Sequence, residues 1–175
     1  MCAKEQIDRM VERNRRYIEK YGNELQSHVA GQQPYAAVLT CSDSRVSPEL
    51  IFNAGLGELF VVRDAGNLAM GASVMGSLEY AVCHLHVPLL LVMGHTNCGA
   101  LKAAEKGPGD SSSVGIIVDE IRCCFGGEDP LRDNVRRQEE MILERSPAIA
   151  EAVRSGVLTI QGAVYHLENG YVEFL

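Results

Sequence analysis

The sequence predicts an α/β fold: a mostly parallel central sheet flanked by helices, with an antiparallel hairpin at its C-terminal end. Three observations carry the prediction. The runs "PYAAVLTC", "GELFVVRDAGN" and "PLLLVMGHTNCGA" are apolar and strand-sized, as buried strands are. They alternate with stretches of helical spacing, which implies crossovers between parallel strands. Finally, "VLTIQGAVYHLENGYVEFL" reads as two strands joined by an Asn169-Gly170 hairpin turn.

In chain order, residues 4 to 21 place Ile7, Met10, Val11, Ile18 and Tyr21 among Arg, Lys and Glu at roughly helical spacing. That gives a helix with one narrow apolar face. The arm it forms, residues 1–28, is read as packing on a partner subunit, with packing on its own core as the alternative. A Gly-Gln-Gln-Pro break precedes the first strand, which ends at Cys41. "SPELIFNAG" starts a short helix with Ser47 as N-cap and Pro48 in the first position. The second strand runs into a Gly66-Asn67 turn. Residues 71–86 have helical spacing and many small side chains, suited to close packing on a sheet. The third strand ends near His95. "EKGPGDSSSVG", 105–115, is a polar loop within a single domain spanning 1–175. Two helices follow, capped by Asp129 with Pro130 and by Ser146 with Pro147, the second closed by Gly156.

The 175 residues are 46% apolar and 22% charged, ordinary for one globular domain, and carry a net charge of −7. An acidic chain argues against nucleic acid as a partner, because phosphate binding needs a basic face. The start lacks an apolar leader core and no run reaches membrane-span length, so the expectation is a soluble cytoplasmic protein. In a reducing cytosol disulfides are rare, which points any clustered subset of the six cysteines toward metal binding or catalysis. Cys83 reads as a buried helix residue, Cys2 as exposed and unstructured, and the vicinal Cys123-Cys124 as structural.

Ligands of such sheets bind beyond the carboxyl ends of the strands. There "CSDSRV", 41–46, crowds a thiol, a carboxylate and a guanidinium, groups that are costly to bury without partners. "GHTNCG", 94–99, adds His-x-x-Cys at the end of another strand. Cys41, His95 and Cys98 together make a catalytic zinc set, two thiolates and an imidazole with a fourth position open. The alternative is that both cysteines are small buried hydrophobes and His95 a satisfied core histidine. That alternative leaves Asp43 and Arg45 without a purpose.

"CSDSRV" and "GHTNCGA", with "RDAGN" and "SLEYAV" between them, resemble the β-class carbonic anhydrases from about Gln32 to Ala104; "VYHLENGYVEF" continues the likeness loosely. The resemblance implies that family's fold and one Zn²⁺ per chain on Cys41, His95 and Cys98. It implies reversible hydration of carbon dioxide to bicarbonate by a zinc-bound hydroxide, oriented by Asp43 with Arg45 gripping the carboxylate. Elementary chemistry agrees: two thiolates neutralise the metal, so its water ionises less readily and benefits from an oriented acceptor. The resemblance also assigns substrate-pocket roles to Gln32, Phe60, Tyr80 and Gly99. Phe60 and Tyr80 often act there from the neighbouring subunit, and Val62 and Ala65 stand as pocket wall or core. It implies a homodimer or higher even oligomer. Allosteric members hold bicarbonate with a Trp, an Arg and a Tyr; here Val38 replaces the Trp while Arg63 is retained, which favours an open site. His28, His84, His86 and His166 are candidates for a proton shuttle, none singled out. Two other functions use the same scaffold: hydrolysis of carbon disulfide or carbonyl sulfide, and non-catalytic bicarbonate binding. The first is disfavoured by the lack of an extra C-terminal segment to build an access channel, the second by the presence of every ligand and of Asp43.

Overall fold

The apolar runs form the sheet. Its strands are Ala36–Thr40 (β1), Leu59–Arg63 (β2), Leu89–His95 (β3), Thr159–Tyr165 (β4) and Val172–Phe174 (β5). Their order is β2-β1-β3-β4-β5; the first four are parallel and β5 returns antiparallel on β4. The structure, a computed structural model, describes residues 2–175. It divides into an N-terminal unit ending at Gln32 and a main unit, Gln33–Leu175.

Helix α1, Ala3–Ser27, makes up most of the first unit, and its side chains Ile7, Met10, Val11 and Ile18 are exposed. It runs past the expected end at residue 21, through Gly22. Met1, the first residue of the expected arm, lies outside the described residues.

In the main unit the helices are Pro48–Ile51 (α2), Gly71–Cys83 (α3), Gly99–Glu105 (α4), Ser113–Arg122 (α5), Pro130–Arg145 (α6) and Pro147–Arg154 (α7). Alternation along the strands divides the core. Ala37, Leu39, Leu90 and Val92 face Leu78 and Ala81 of α3, Val135 and Ile142 of α6 and Ile149 of α7. On the opposite face Val38, Leu91 and Met93 meet Ile51 and Phe52 at the end of α2. Helix α6 comes down on the sheet where β3 and β4 carry glycine. A Cβ at Gly94 would lie 2.9 Å from both Leu131 Cδ1 and Val135 Cγ2, and one at Gly162 would lie 3.0 Å from Val135 Cγ1.

The caps expected for the last two helices form. Asp129 Oδ1 accepts from the Leu131 and Arg132 amides at 3.1 Å, and Ser146 Oγ accepts from the Ile149 amide at 3.2 Å. Ser47 occupies the N-cap of α2, but its hydroxyl donates to Glu49 Oε2 at 3.1 Å instead of capping. The hairpin turns at Gly170, φ +77°.

Two expectations fail. The loop read over 105–115 is shorter than expected, because α5 begins at Ser113, and α4 precedes the loop. "GIIV" is a poor helix former by propensity, since β-branched chains lose χ1 freedom against the preceding turn. The helix forms because Val118 and Ile121 bury against Leu68 and Ala104, and because Ser112 Oγ accepts from the Gly115 amide at 3.1 Å. Cys83 is exposed, not buried: it ends α3, whose buried face is Leu78, Ala81 and Val82.

Candidate metal centre

β1 and β3 are parallel neighbours with Thr40 opposite Met93, so their carboxyl ends deliver Cys41 and His95 to one place. A turn through Asn97, φ +58°, then brings Cys98 back as the N-cap of α4. The ligand atoms of Cys41, His95 and Cys98 all lie within 4.8 Å of one another, and all three residues are buried. The two sulfurs are 3.9 Å apart and both cysteines are free thiols. Tetrahedral zinc with Zn–S bonds of about 2.3 Å needs sulfurs about 3.8 Å apart. His95 Nδ1 sits 2.9 Å from the Thr96 carbonyl, which makes it the protonated nitrogen and leaves the Nε2 lone pair free. Nε2 is buried with no hydrogen-bond partner, an orphan atom that a metal ion would satisfy. The residues fit zinc.

The thiols share a proton asymmetrically. The hydrogen bond between the sulfurs lowers the pKa of Cys41, with lesser help from the Gly66 amide. Cys98 is pushed up by the same bond and by burial. A thiolate ready at Cys41 is the species a metal binds.

Beside this cluster, Asp43 Oδ1 accepts from the Arg45 amide at 3.0 Å and from Arg45 Nε at 2.9 Å. Its Oδ2 accepts from Arg45 Nη2 at 2.7 Å and lies 3.9 Å from His95 Nε2. The guanidinium, bound side-on, holds the Asp43 carboxyl well below the usual carboxylate range.

Other groups position the two turns. Arg63 Nε donates to the Cys41 carbonyl at 3.2 Å, and its Nη2 to the Asp43 carbonyl at 2.6 Å. This arginine grips the backbone of the ligand loop. Glu168, in the C-terminal hairpin, accepts from Thr96 Oγ1 at 2.9 Å and from Asn97 Nδ2 at 3.0 Å. The Asn97 carbonyl in turn accepts from Arg45 Nη2 at 3.3 Å. Sequence reasoning missed the Arg63 and Glu168 roles. The residues Glu168 joins lie 71 and 72 positions away, and no local pattern marks them.

The remaining expected residues are dispersed. Gly99 opens α4 directly after Cys98. Phe60 and Tyr80 stand side by side, ring centroids 6.1 Å apart. Phe60 is in register with Ala37, four residues and so about 13 Å of strand before Cys41. Within one chain these rings do not reach the cluster. Gln32 is exposed in the N-terminal unit. Val62 is buried in the core and Ala65 is half-buried.

The chain is similar to known proteins. A family model described as carbonic anhydrase matches residues 36–125. Carbonic anhydrase 2 of Mycobacterium tuberculosis (strain CDC 1551 / Oshkosh) is 39% identical over 154 residues, 81% of this chain and 74% of its own. The carbonic anhydrase of Mycolicibacterium smegmatis is 40% identical over 155 residues, 81% of this chain and 75% of its own. Among solved structures, a Coccomyxa beta-carbonic anhydrase in complex with acetazolamide is similar with a TM-score of 0.84 and 31% identity, over 95% of this chain and 84% of that one.

Proposed function

The chain belongs to the β-class carbonic anhydrases, and we propose that it hydrates carbon dioxide reversibly to bicarbonate with one zinc ion held by Cys41, His95 and Cys98. One observation carries the reading: three buried ligand atoms within 4.8 Å, with an arginine-gripped carboxylate oxygen 3.9 Å from one of them. When bound, zinc supplies the Lewis acidity that makes water a nucleophile near neutral pH. The chain's own residues do the rest. Asp43 Oδ2 accepts the proton of the attacking hydroxide in a hydrogen bond, which aims an oxygen lone pair at the carbon of the substrate. Arg45 keeps that carboxylate ionised and fixes its plane, so it orients the nucleophile without taking its proton. The Thr96 carbonyl holds the His95 tautomer, and Arg63 holds the backbone on which Cys41 and Asp43 are carried. Attack would form the carbon–oxygen bond and leave the negative charge on bicarbonate, and the proton released as the next water becomes hydroxide would pass to solvent. Gly99 is assigned to the anion through its backbone N–H.

The working unit we propose is a homodimer. A groove of about 170 Å³ on the sheet face opposite α3, α6 and α7 is lined by Tyr35, Val38, Phe52, Leu59, Leu91 and Phe174. Tyr35 is 52% and Phe174 57% exposed, and α1 offers a second exposed apolar stripe. A second copy would cover such surfaces. Among the described residues no helix is long and apolar enough to cross a membrane.

The test is stopped-flow hydration of carbon dioxide between about pH 6.5 and 9 on protein of measured zinc content, a range that spans zinc-bound water ionising at about 7 and the higher value expected when thiolates neutralise the metal. Activity proportional to zinc is expected. Fully zinc-loaded protein with no activity at any of these pH values would overturn the reading.

A further inference from the structure

Behind the metal centre runs a buried line of amide side chains. Asn134 and Gln138 of α6 are fully buried, as is Asn67 in the turn after β2. Gln138 Nε2 donates to Asn134 Oδ1 at 3.2 Å. Asn134 Nδ2 donates to the Gly66 carbonyl at 2.9 Å and reaches Asn67 Oδ1 at 3.4 Å. Gln138 Oε1 accepts from the Ala69 amide at 2.9 Å. The line therefore grips the 66–69 turn at three points. The other side of Gly66 faces the metal cluster: its N–H donates to Cys41 Sγ at 3.3 Å.

A local bond closes this turn, the Asn67 N–H donating to the Asp64 carbonyl at 2.9 Å, and contacts from α6 anchor it. Gly66 and Asn67 both have left-handed backbones, φ +78° and +52°. Glycine adopts that conformation freely and asparagine tolerates it better than other side chains, but Asn67 Nδ2 is buried without a partner. The buried polar groups of such a turn are held in place by the tertiary hydrogen bonds that satisfy them. Here the contacts come from α6, outside residues 36–125 that the family model matches.

We infer that Asn134 and Gln138 are positioning residues for the metal centre, acting through the Gly66 backbone, whose carbonyl Asn134 holds and whose N–H is aimed at the Cys41 sulfur. The inference rests on the zinc reading above. A hydrogen bond to a ligating thiolate sets its orientation and tempers its charge, and groups of this kind influence metal affinity beyond the ligands themselves. Removing the grip lets the 66–69 turn relax, so the sulfur loses a fixed donor.

The experiment compares Asn134→Leu and Gln138→Met, both close to the native side chains in size, with Ile142→Val. Ile142 lies on the same buried face of α6 but outside the amide line. Two readouts are taken on folded, metal-loaded protein: the rate of zinc release to a chelator, and the thiolate-to-metal charge-transfer absorption of the cobalt(II)-substituted form. We expect release about tenfold faster in the two amide variants, the lower end of what lost outer contacts cost, and a shifted absorption band. Ile142→Val is expected to match the wild type in both. Amide variants whose release stays within about twofold of wild type, below the range such contacts command, overturn the inference. So does Ile142→Val releasing zinc as fast as they do. Should Asn134→Leu fail to fold, Gln138→Met decides by the same criteria. Wild-type protein that takes up no zinc would overturn the functional reading itself. Zinc held normally by the wild type and both amide variants would overturn only the positioning role.

Discussion

Replacing Gly94 with alanine tests how closely α6 must sit on the sheet. The added methyl would stand 2.9 Å from Leu131 Cδ1 and from Val135 Cγ2. Carbon atoms pack best at about 3.5–4.0 Å, so each contact is short by roughly 0.6–1.1 Å. Leu131 has an outer torsion with which to yield. Val135 does not, because a β-branched side chain in a helix has essentially one rotamer. The helix must lift or the strand must bend, and overpacking of this kind costs about 1–3 kcal/mol. A loss of ~2 kcal/mol lowers Tm by about 4–8 °C in a chain of this size. Val135→Ala alone removes two methyl groups from a fully buried position, at roughly 2 kcal/mol. In the double variant the new methyl at position 94 occupies space vacated at 135. The two changes should then cost less together than the sum of their separate effects, with a coupling of about 0.5–2 kcal/mol, within the span seen for touching residues. Urea denaturation of the four proteins at equal zinc loading measures the cycle. A Gly94→Ala protein as stable as the wild type, or strict additivity in the double variant, would show that the glycine does not serve close approach.

Cys98→Ser should lose zinc, measured by metal analysis after dialysis, because a neutral hydroxyl replaces a thiolate ligand. Asp43→Ala should keep most of its zinc and lose most hydration activity, a fall of about 10²-fold or more by analogy with other orienting and proton-handling groups; full activity with intact metal would remove the role given to Asp43. The Asp43 carboxyl, held low first by its hydrogen bond from the Arg45 side chain, has the usual sign for a paired acid. Its contribution is present above the ordinary carboxylate pKa of about 3.9 and is lost only as pH falls through the lower folded value. The Asp43–Arg45 pair should therefore stay ionised between pH 7 and about 4, which infrared carboxylate bands against Asp43→Asn would check. Glu139 has the opposite sign. Burial raises its pKa, so folding is disfavoured while it is ionised and gains as pH drops through the raised value toward about 4.3. Glu139→Gln should be more stable than the wild type at pH 7 and should lose that part of the pH slope in denaturation curves; an unchanged slope would refute it.

What the sequence discloses about this site depends on how far apart its parts lie. Cys41, Asp43 and Arg45 fall within five residues, and His95 and Cys98 within four, so their spacing on a strand end already states their chemistry. The caps of α6 and α7 are legible for the same reason, since Asp129 and Ser146 act on amides two or three residues ahead. Helix α5 was not, because burial of Val118 and Ile121 overrides a β-branched stretch with low helix propensity. Nor was the exposure of Cys83, which depends on where α3 stops against the sheet. Arg63, Glu168, Asn134 and Gln138 bond across large sequence separations. In a sequence they look like a strand-end charge, a hairpin acid and two polar helix residues.

The joining of the two motifs follows from topology. From β1 the chain passes to β2 on one side, then crosses back over β1 to lay β3 on its other side, giving the order β2-β1-β3. The connections leaving the carboxyl ends of β1 and β3 therefore diverge, and a crevice opens between them. That is the switch point at which open parallel sheets bind ligands. Cys41 and Asp43 follow β1, and His95 and Cys98 close β3, so the crevice is lined from both sides by groups that a strand interior would not tolerate. Had β3 been placed beside β2, the same motifs would stand at least two strand spacings apart, about 9–10 Å, and no single ion could bridge them. The ligand set thus depends on the crossover as much as on the cysteines, and the buried α6 contacts over Gly94 and Gly162 keep β3 and β4 in the positions that the crossover requires.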